Sequence, residues 1–424
     1  MRFLLVSTHI DQITGYSKVS YNLVNQLATL LPKVKTFHFG FQRHATRSTI
    51  RKYPAGVTSY DAAANEDPKE EGFGYNKLAE YIETVQPDVV MIYNDPYTIT
   101  RFIDSIKHER GKSSYKLWLY VDQVYTGIAP PLIEILQKHG DRIYCFTDIW
   151  KTKLLEYGPF SDVRVLEHAV DPTVYTCMSE DARKTIRQSN LSLPPDSVVI
   201  LNANRNSQRK RIDLTIAGFA GLLKNHPTKP YYLVIASNLQ PQTGAHYDIQ
   251  RIYLEELKDN GLDFQQFGRR LMLIDTSPPN ILSDEAINQL YNAADIGINT
   301  SDGEGFGLCQ LEHMYVGAPQ IVTDVGSYRT FLDASTAEFI PSNGKHYFTG
   351  GMPHGFSAPT FGNSDVTAAM ESMIATLPEK RTKVRSYQFK SWATICDGFL
   401  EDVLTQAEGQ AASVSVPVIS AVPI

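Results

Sequence analysis

Short apolar runs alternate with amphipathic stretches along this chain, and the alternation predicts its elements. RFLLVS is followed by a turn at Thr14-Gly15 and then by VSYNLVNQLATLL, where Val19, Leu23, Leu27 and Leu30/Leu31 keep helical spacing. PDVVMIYND (87–95), YKLWLYVDQ (115–123), RIYCFTD (142–148) and DVRVLEHAV (162–170) read as buried strands with helical patterns between them. Residues 172–195 lose the strand pattern and end in Pro194-Pro195, which marks a linker. A second strand series follows: SVVILNAN (197–204), PYYLVIASN (230–238), RLMLIDT (270–276), ADIGINT (294–300) and APQIVTD (318–324). The pattern predicts an α/β protein with two Rossmann-like, doubly wound parallel sheets facing a cleft. The expected domains are 1–172, a linker at 173–195, and 196–385. Residues 335–364, rich in Gly, Pro and aromatics, read as a loop that acts as a lid or meets an acceptor. The tail after Glu408 has small residues and prolines without a helical period, and reads as disordered or as a short strand.

Length agrees with this division, since 424 residues exceed one compact core. A net charge of −6 carries no basic excess of the kind a nucleic-acid binder shows. The cysteines Cys145, Cys177, Cys309 and Cys396 are scattered, which speaks against a disulfide framework or structural zinc and predicts a reducing compartment. MRFLLVSTHIDQ lacks the long apolar core and cleavage site of a signal peptide, and no stretch approaches 18 apolar residues. A cytoplasmic protein without a membrane span is expected, with peripheral membrane contact left open.

The chemistry concentrates between Ala294 and Gly326, ADIGINTSDGEGFGLCQLEHMYVGAPQIVTDVG. A strand leads into a turn holding Gly303, Gly305 and Gly307. A helix from Leu308 to Val316 follows, ended by Gly317 and Pro319. Amides at such a turn and helix start face outward at the positive end of the helix dipole and suit a phosphate. Glu304 in the turn and Glu312 within the helix add acceptors for hydroxyl groups. Phosphate together with hydroxyls suggests a nucleotide-sugar. The glycine spacing does not match the G-x-G-x-x-G of dinucleotide sites. Cys309 has no base partner in the sequence and reads as a packing residue.

This stretch resembles the signature of retaining GT-B glycosyltransferases of family 4. Ala294, Asp295, Ser301, Glu304, Gly305, Phe306, Gly307, Leu308, Glu312, Met314, Gly317, Pro319, Val322 and Gly326 match it in order. The resemblance implies a transfer with retention of anomeric configuration, in which Glu304 binds sugar hydroxyls, Glu312 holds the ribose, and Gly305, Phe306, Gly307 and Leu308 line the donor. NRNSQRKRIDLTI (204–216) matches the arginine and lysine that neutralise the family's donor pyrophosphate at Arg205 and Lys210, with Asn204 and Arg211 replacing glycines. Fixed cations there stabilise the leaving diphosphate without a metal or other cofactor. The plainer reading of that loop is a solvated basic run.

Weaker matches lie in the first half. Gly15 stands in the place of the family's glycine-rich loop near the donor phosphate. EHAVD (167–171) replaces the family's N-G-V-D, and Asp122 stands where many members carry a histidine. Asp122 reads equally as a hydroxyl ligand or as a strand-end cap. ILSDEAINQLYNAAD (281–295) resembles the segment whose preceding backbone reads the nucleobase, which implicates 276–282 with Ile281 and Leu282. Ser283, followed by Asp284 and Glu285, reads as its helix cap. The aromatic first domain and the linker resemble glycosyltransferases of large DNA algal viruses. That points to a GDP-sugar such as GDP-mannose, with a UDP-sugar as the alternative, a glycan or other hydroxyl as acceptor, and the host cytoplasm as location if the chain is viral. The resemblance also implies that a C-terminal helix, within about 386–424, crosses back to the first domain. The rival readings are a two-lobed sugar- or nucleotide-binding protein without turnover, and a phosphorylase or epimerase of the same fold.

Overall fold

The computed structural model describes residues 1–49, 51–64, 67–108, 114–348 and 353–414. The first lobe contains β1 (Arg2–Thr8), α1 (Gly15–Leu30), β2 (Lys35–Phe41), β3 (Val57–Asp61), α2 (Tyr75–Val85), β4 (Val89–Asn94), α3 (Pro96–Ile106), β5 (Lys116–Val121), α4 (Pro130–His139), β6 (Arg142–Cys145), α5 (Asp148–Leu155) and β7 (Val163–Val165). After α6 (Glu180–Leu191), the second contains β8 (Val198–Asn202), α7 (Ile212–Asn225), β9 (Tyr231–Ser237), α8 (Ile249–Asp259), α9 (Phe264–Phe267), β10 (Leu271–Asp275), α10 (Asp284–Ala293), β11 (Ile296–Asn299), α11 (Leu308–Tyr315), β12 (Gln320–Thr323), β13 (Ala337–Ile340), β14 (Gly344–Tyr347), β15 (Ser357–Thr360), α12 (Asn363–Ala375) and α13 (Leu377–Arg385). The chain then enters α14 (Trp392–Val414).

Among the described residues there are two large parallel sheets, ordered β3-β2-β1-β4-β5-β6-β7 and β10-β9-β8-β11-β12-β13. In each, the order reverses direction beside the first strand of the set, which opens a crevice at the carboxyl ends. The central strands are largely apolar and buried: VVMIYN of β4 is buried at every position, as expected when helices cover both faces. Local chemistry sets the helix starts. Thr14 and Ser17 form a capping box on α1, and Ser283 caps α10 ahead of Asp284 and Glu285, as its sequence predicts.

The C-terminal helix returns to the first lobe as expected. Phe399 of α14 meets Phe3 at 5.8 Å and Tyr144 at 5.8 Å, both edge to face, and Asp402 accepts from the Tyr144 hydroxyl at 2.5 Å. The larger hydrophobic core is therefore continuous from the first sheet through α14 to Phe306, Leu311 and Tyr328 of the second lobe. A smaller core fills the far side of the second sheet, around α7, α8 and α12.

Several segments differ from their sequence reading. The stretch at 172–195 holds a helix, α6, anchored to the second lobe. Arg183 donates to the Asn292 and Ala294 carbonyls at 2.7 Å each, and Arg187 to the Ala293 carbonyl at 3.0 Å. The 335–364 stretch is not a plain loop: it contributes β13 to the second sheet and folds an antiparallel hairpin, β14–β15. Within it, 349–352 lie outside the described residues. The tail stays helical to Val414, because α14 runs past Glu408, and 415–424 lie outside the described residues.

Candidate functional site

The second lobe builds its half of the cleft from the turn between β11 and α11. Gly307 holds φ at +94°, and a Cβ there would sit 2.4 Å from the Tyr328 ring, so only glycine fits this entry to α11. Glu304 stands in the turn, 9% exposed. Its carboxylate accepts from the Lys210 ammonium at 2.5 Å, the Arg209 guanidinium at 3.3 Å and the Ser301 hydroxyl at 3.4 Å. Burial alone would push this carboxyl up. Lys210 and Arg209 outweigh it and hold the pKa at about 2, so Glu304 is ionised at neutral pH. Arg209 also donates to the Gly303 carbonyl. Arg205 is exposed on the loop after β8. Arg209, next to Lys210, thus reaches Glu304, and Arg205, at the family spacing, stands on the same loop.

The first lobe supplies the facing wall from the carboxyl ends of its strands. Asp122 follows β5, and its Oδ2 accepts from the Tyr16 hydroxyl at 2.6 Å. Its Oδ1 is buried without a hydrogen-bond partner and would lie 2.0 Å from a Cβ at Gly305. That glycine lets the two lobes meet at the turn. Burial pushes Asp122 up to about 6, against the lowering effects of Tyr16 and Arg209. The Trp150 indole N–H donates to the Gly305 carbonyl at 2.6 Å, and Tyr125 donates to Asp302 at 2.7 Å. Phe306 is buried under the His168 ring at 4.6 Å, and His168 also packs on Phe146 at 4.4 Å. Burial lowers His168 to about 3, which leaves it a neutral ring in an aromatic stack.

Glu312 lies further along α11 and is 2% exposed. It accepts from Lys18 of α1 at 2.6 Å and from the Tyr291 hydroxyl at 3.2 Å. Leu308, with Lys18, Arg51, Tyr175, Asp284 and Glu312, lines a crevice between the lobes. Gly15 begins α1, with nothing within 4 Å of a Cβ placed on it. Ile281 and Leu282 are half-buried just before α10, next to Asp284, which Arg51 clasps at 3.1 and 3.0 Å.

The structure therefore brings together Glu304, Lys210, Asp122, Gly305, Phe306 and Gly307. It sets Glu312 and Leu308 one step along the same helix and Gly15 at the start of the facing one. Sequence reasoning missed Arg209, Lys18, Tyr16, Tyr125 and Asp302. A signal existed for Arg209, the residue beside Lys210 in a loop already noted as basic, and for Lys18, one helical turn beyond Gly15. None of the described residues form a cluster of three or more His, Cys, Asp or Glu placed to hold a metal ion. No described helix is long and apolar enough to cross a membrane.

Residues 197–347, the stretch that carries Lys210, Glu304 and Glu312, match the family model described as glycosyl transferases group 1. This part of the second lobe is thus similar to group 1 glycosyl transferases. The likeness read from Ala294–Gly326 is thereby borne out, and the chain is GT4-like. Mannosylfructose-phosphate synthase of Agrobacterium fabrum is 25% identical over 192 residues, 45% of this chain and 39% of that protein. D-inositol 3-phosphate glycosyltransferase of Thermobifida fusca is 27% identical over 210 residues, 49% of this chain and 45% of that protein. The matches thus span less than half the length of these relatives. In fold the likeness extends over the whole chain. Sucrose-phosphate synthase from Thermosynechococcus elongatus superposes with a TM-score of 0.68 at 14% identity, covering 97% of this chain and all of that one. HepE of Anabaena, in complex with UDP and glucose, gives 0.65 at 14% identity, covering 98% and 99%. The architecture is of GT-B type.

Proposed function

We propose that this protein is a retaining glycosyltransferase that moves a hexose or deoxyhexose from a nucleoside-diphosphate sugar to a hydroxyl of a glycan or another acceptor, without a metal. The observation that carries the reading is Glu304 held between Lys210 and Arg209 at the entry to α11, opposite Asp122 and Tyr16. A diphosphate at this helix start takes the outward amides of the turn and draws both cations toward itself. Glu304, released from them, accepts from sugar hydroxyls. As the bond between the anomeric carbon and the phosphate oxygen breaks, its electron pair leaves with the diphosphate. Lys210 and Arg209 stabilise that charge more in the transition state than in the ground state. The acceptor oxygen attacks on the same face, and its proton passes to the departing phosphate oxygen. Asp122, steadied by Tyr16, holds the acceptor hydroxyl. In this scheme the first lobe, 1–172 with the crossover helix, receives the acceptor, and 196–385 binds the donor.

For the nucleotide, a GDP-sugar such as GDP-mannose is the first candidate and a UDP-sugar the second. HepE, solved with UDP and glucose, keeps the second in the test. Thermal melts against GDP, UDP and their hexose conjugates separate them, since a ligand of the native state raises its melting temperature. Product analysis with the stabilising conjugate, with and without EDTA, follows. A stabilising conjugate that is consumed in EDTA supports the proposal. No shift with any diphosphate, or strict dependence on added metal, overturns it.

A further inference from the structure

Glu312 is already engaged, and its partner comes from the opposite lobe. Lys18 of α1 reaches 294 residues along the chain to place its ammonium 2.6 Å from Glu312 Oε1, and Tyr291 donates to Oε2 at 3.2 Å. The Lys18 ammonium also donates to the Tyr175 hydroxyl at 2.5 Å and lies 5.1 Å from that ring's centre. Glu312 and neighbouring Asp284 push Lys18 above its ordinary range despite its burial, so the ammonium stays charged. Both carboxylate oxygens have donors, and the side chain is 2% exposed. A second inter-lobe pair, Arg51–Asp284, lies on the same crevice.

We infer that Lys18 competes with the nucleotide's ribose for Glu312 and so sets donor affinity from the far side of the cleft. The inference rests on the reading of Glu312 as the ribose acceptor. Each oxygen keeps a lone pair to spare, but the carboxylate is 2% exposed, so ribose hydroxyls reach it only when the groups that cover it, Lys18 first among them, move aside. Donor binding therefore breaks an inter-lobe ion pair, and loading of the second lobe is linked to release of α1. A conformation in which Lys18 occupies Glu312 lowers apparent affinity by the fraction of molecules held in it. Lys18 is on this account a positioning residue, and its removal tightens binding.

Calorimetric titration with UDP and GDP tests this on the wild type, Lys18→Met, Lys18→Arg and Lys18→Met combined with Glu312→Gln. The expected result is that Lys18→Met binds the preferred diphosphate about tenfold more tightly, as removal of a competing state allows. Lys18→Arg stays near the wild type, and the double variant loses the gain. Tyr175→Phe removes the second acceptor of the ammonium and leaves every charge in place. It should tighten binding in the same direction by a smaller factor, and it carries the test if Lys18→Met does not fold. Unchanged or weaker binding in Lys18→Met, or in Tyr175→Phe where that variant stands in, overturns the inference and makes Lys18 a donor contact or a structural residue. A wild type that binds neither diphosphate overturns the donor-site reading, and this inference with it.

Discussion

At the scale of single residues, the site is a problem of charge. Glu304 is buried, two cations hold its pKa at about 2 against that burial, and a diphosphate competes for the same cations. Lys210→Ala should therefore lower turnover by roughly two to four orders of magnitude, the scale seen when one charge-stabilising group is lost. Arg209→Ala should fall further than Arg205→Ala, because Arg209 touches Glu304 and Arg205 lies exposed. Steady-state kinetics of the three variants check the order, and a larger loss in Arg205→Ala would return the role to the residue at the family spacing. Asp122 gives the pH dependence. Its folded pKa is raised to about 6, so it is protonated below that pH and ionised above it. If the carboxylate is what holds the acceptor hydroxyl, the transfer rate should rise through pH 6 and level off, and Asp122→Asn should flatten that limb. An acid limb that persists in Asp122→Asn would assign it to another group. Glu304 and Lys210 were legible because each sits in its own local motif. Arg209 was hidden by the pattern match at Arg205, and Lys18–Glu312 by a separation no local pattern spans.

At the scale of elements, periodicity worked where strands are long and buried, and failed where an element is short or polar. AEFI of β13 has four residues between turn-rich segments, so nothing separated it from loop. α6 reads as polar because its anchors are arginines, Arg183 and Arg187, which bury their guanidinium groups on carbonyls at the end of α10. The hairpin is the element closest to function. Phe356 N donates to the Thr126 carbonyl at 3.2 Å, and Ala129 N to the Pro353 carbonyl at 2.8 Å, so β14–β15 of the second lobe docks on the loop after β5, just beyond Asp122. A Cβ at Gly127 (φ +81°) would sit 2.4 Å from the Phe356 Cβ. Gly127→Val should push the hairpin off and lower kcat/KM for the acceptor about ten- to a hundredfold, as small misplacements of a substrate wall do. Affinity for the bare diphosphate should hold. Kinetics with calorimetry check the split, and equal losses in both would place the hairpin on the donor side.

At the scale of the whole molecule, two parallel sheets face each other, tied by α14 and by contacts that converge on one turn and one helix. The two sheets were legible in the alternation of strands and helices, which follows from burial repeated along the chain, whereas the return of the last helix was implied by the family resemblance alone. The central claim is that the donor lies along α11 with its sugar at Glu304 and its ribose at Glu312. Calorimetric titration of Glu304→Gln and Glu312→Gln with the bare nucleoside diphosphate tests it most directly. Glu304→Gln should keep or tighten diphosphate affinity, because Lys210 and Arg209 are released, while losing turnover with the full donor. Glu312→Gln should weaken the diphosphate through loss of charge-assisted hydrogen bonding worth roughly 1.5–3 kcal/mol, about ten- to a hundredfold. If Glu304→Gln loses as much diphosphate affinity as Glu312→Gln, the donor does not lie along this helix as described.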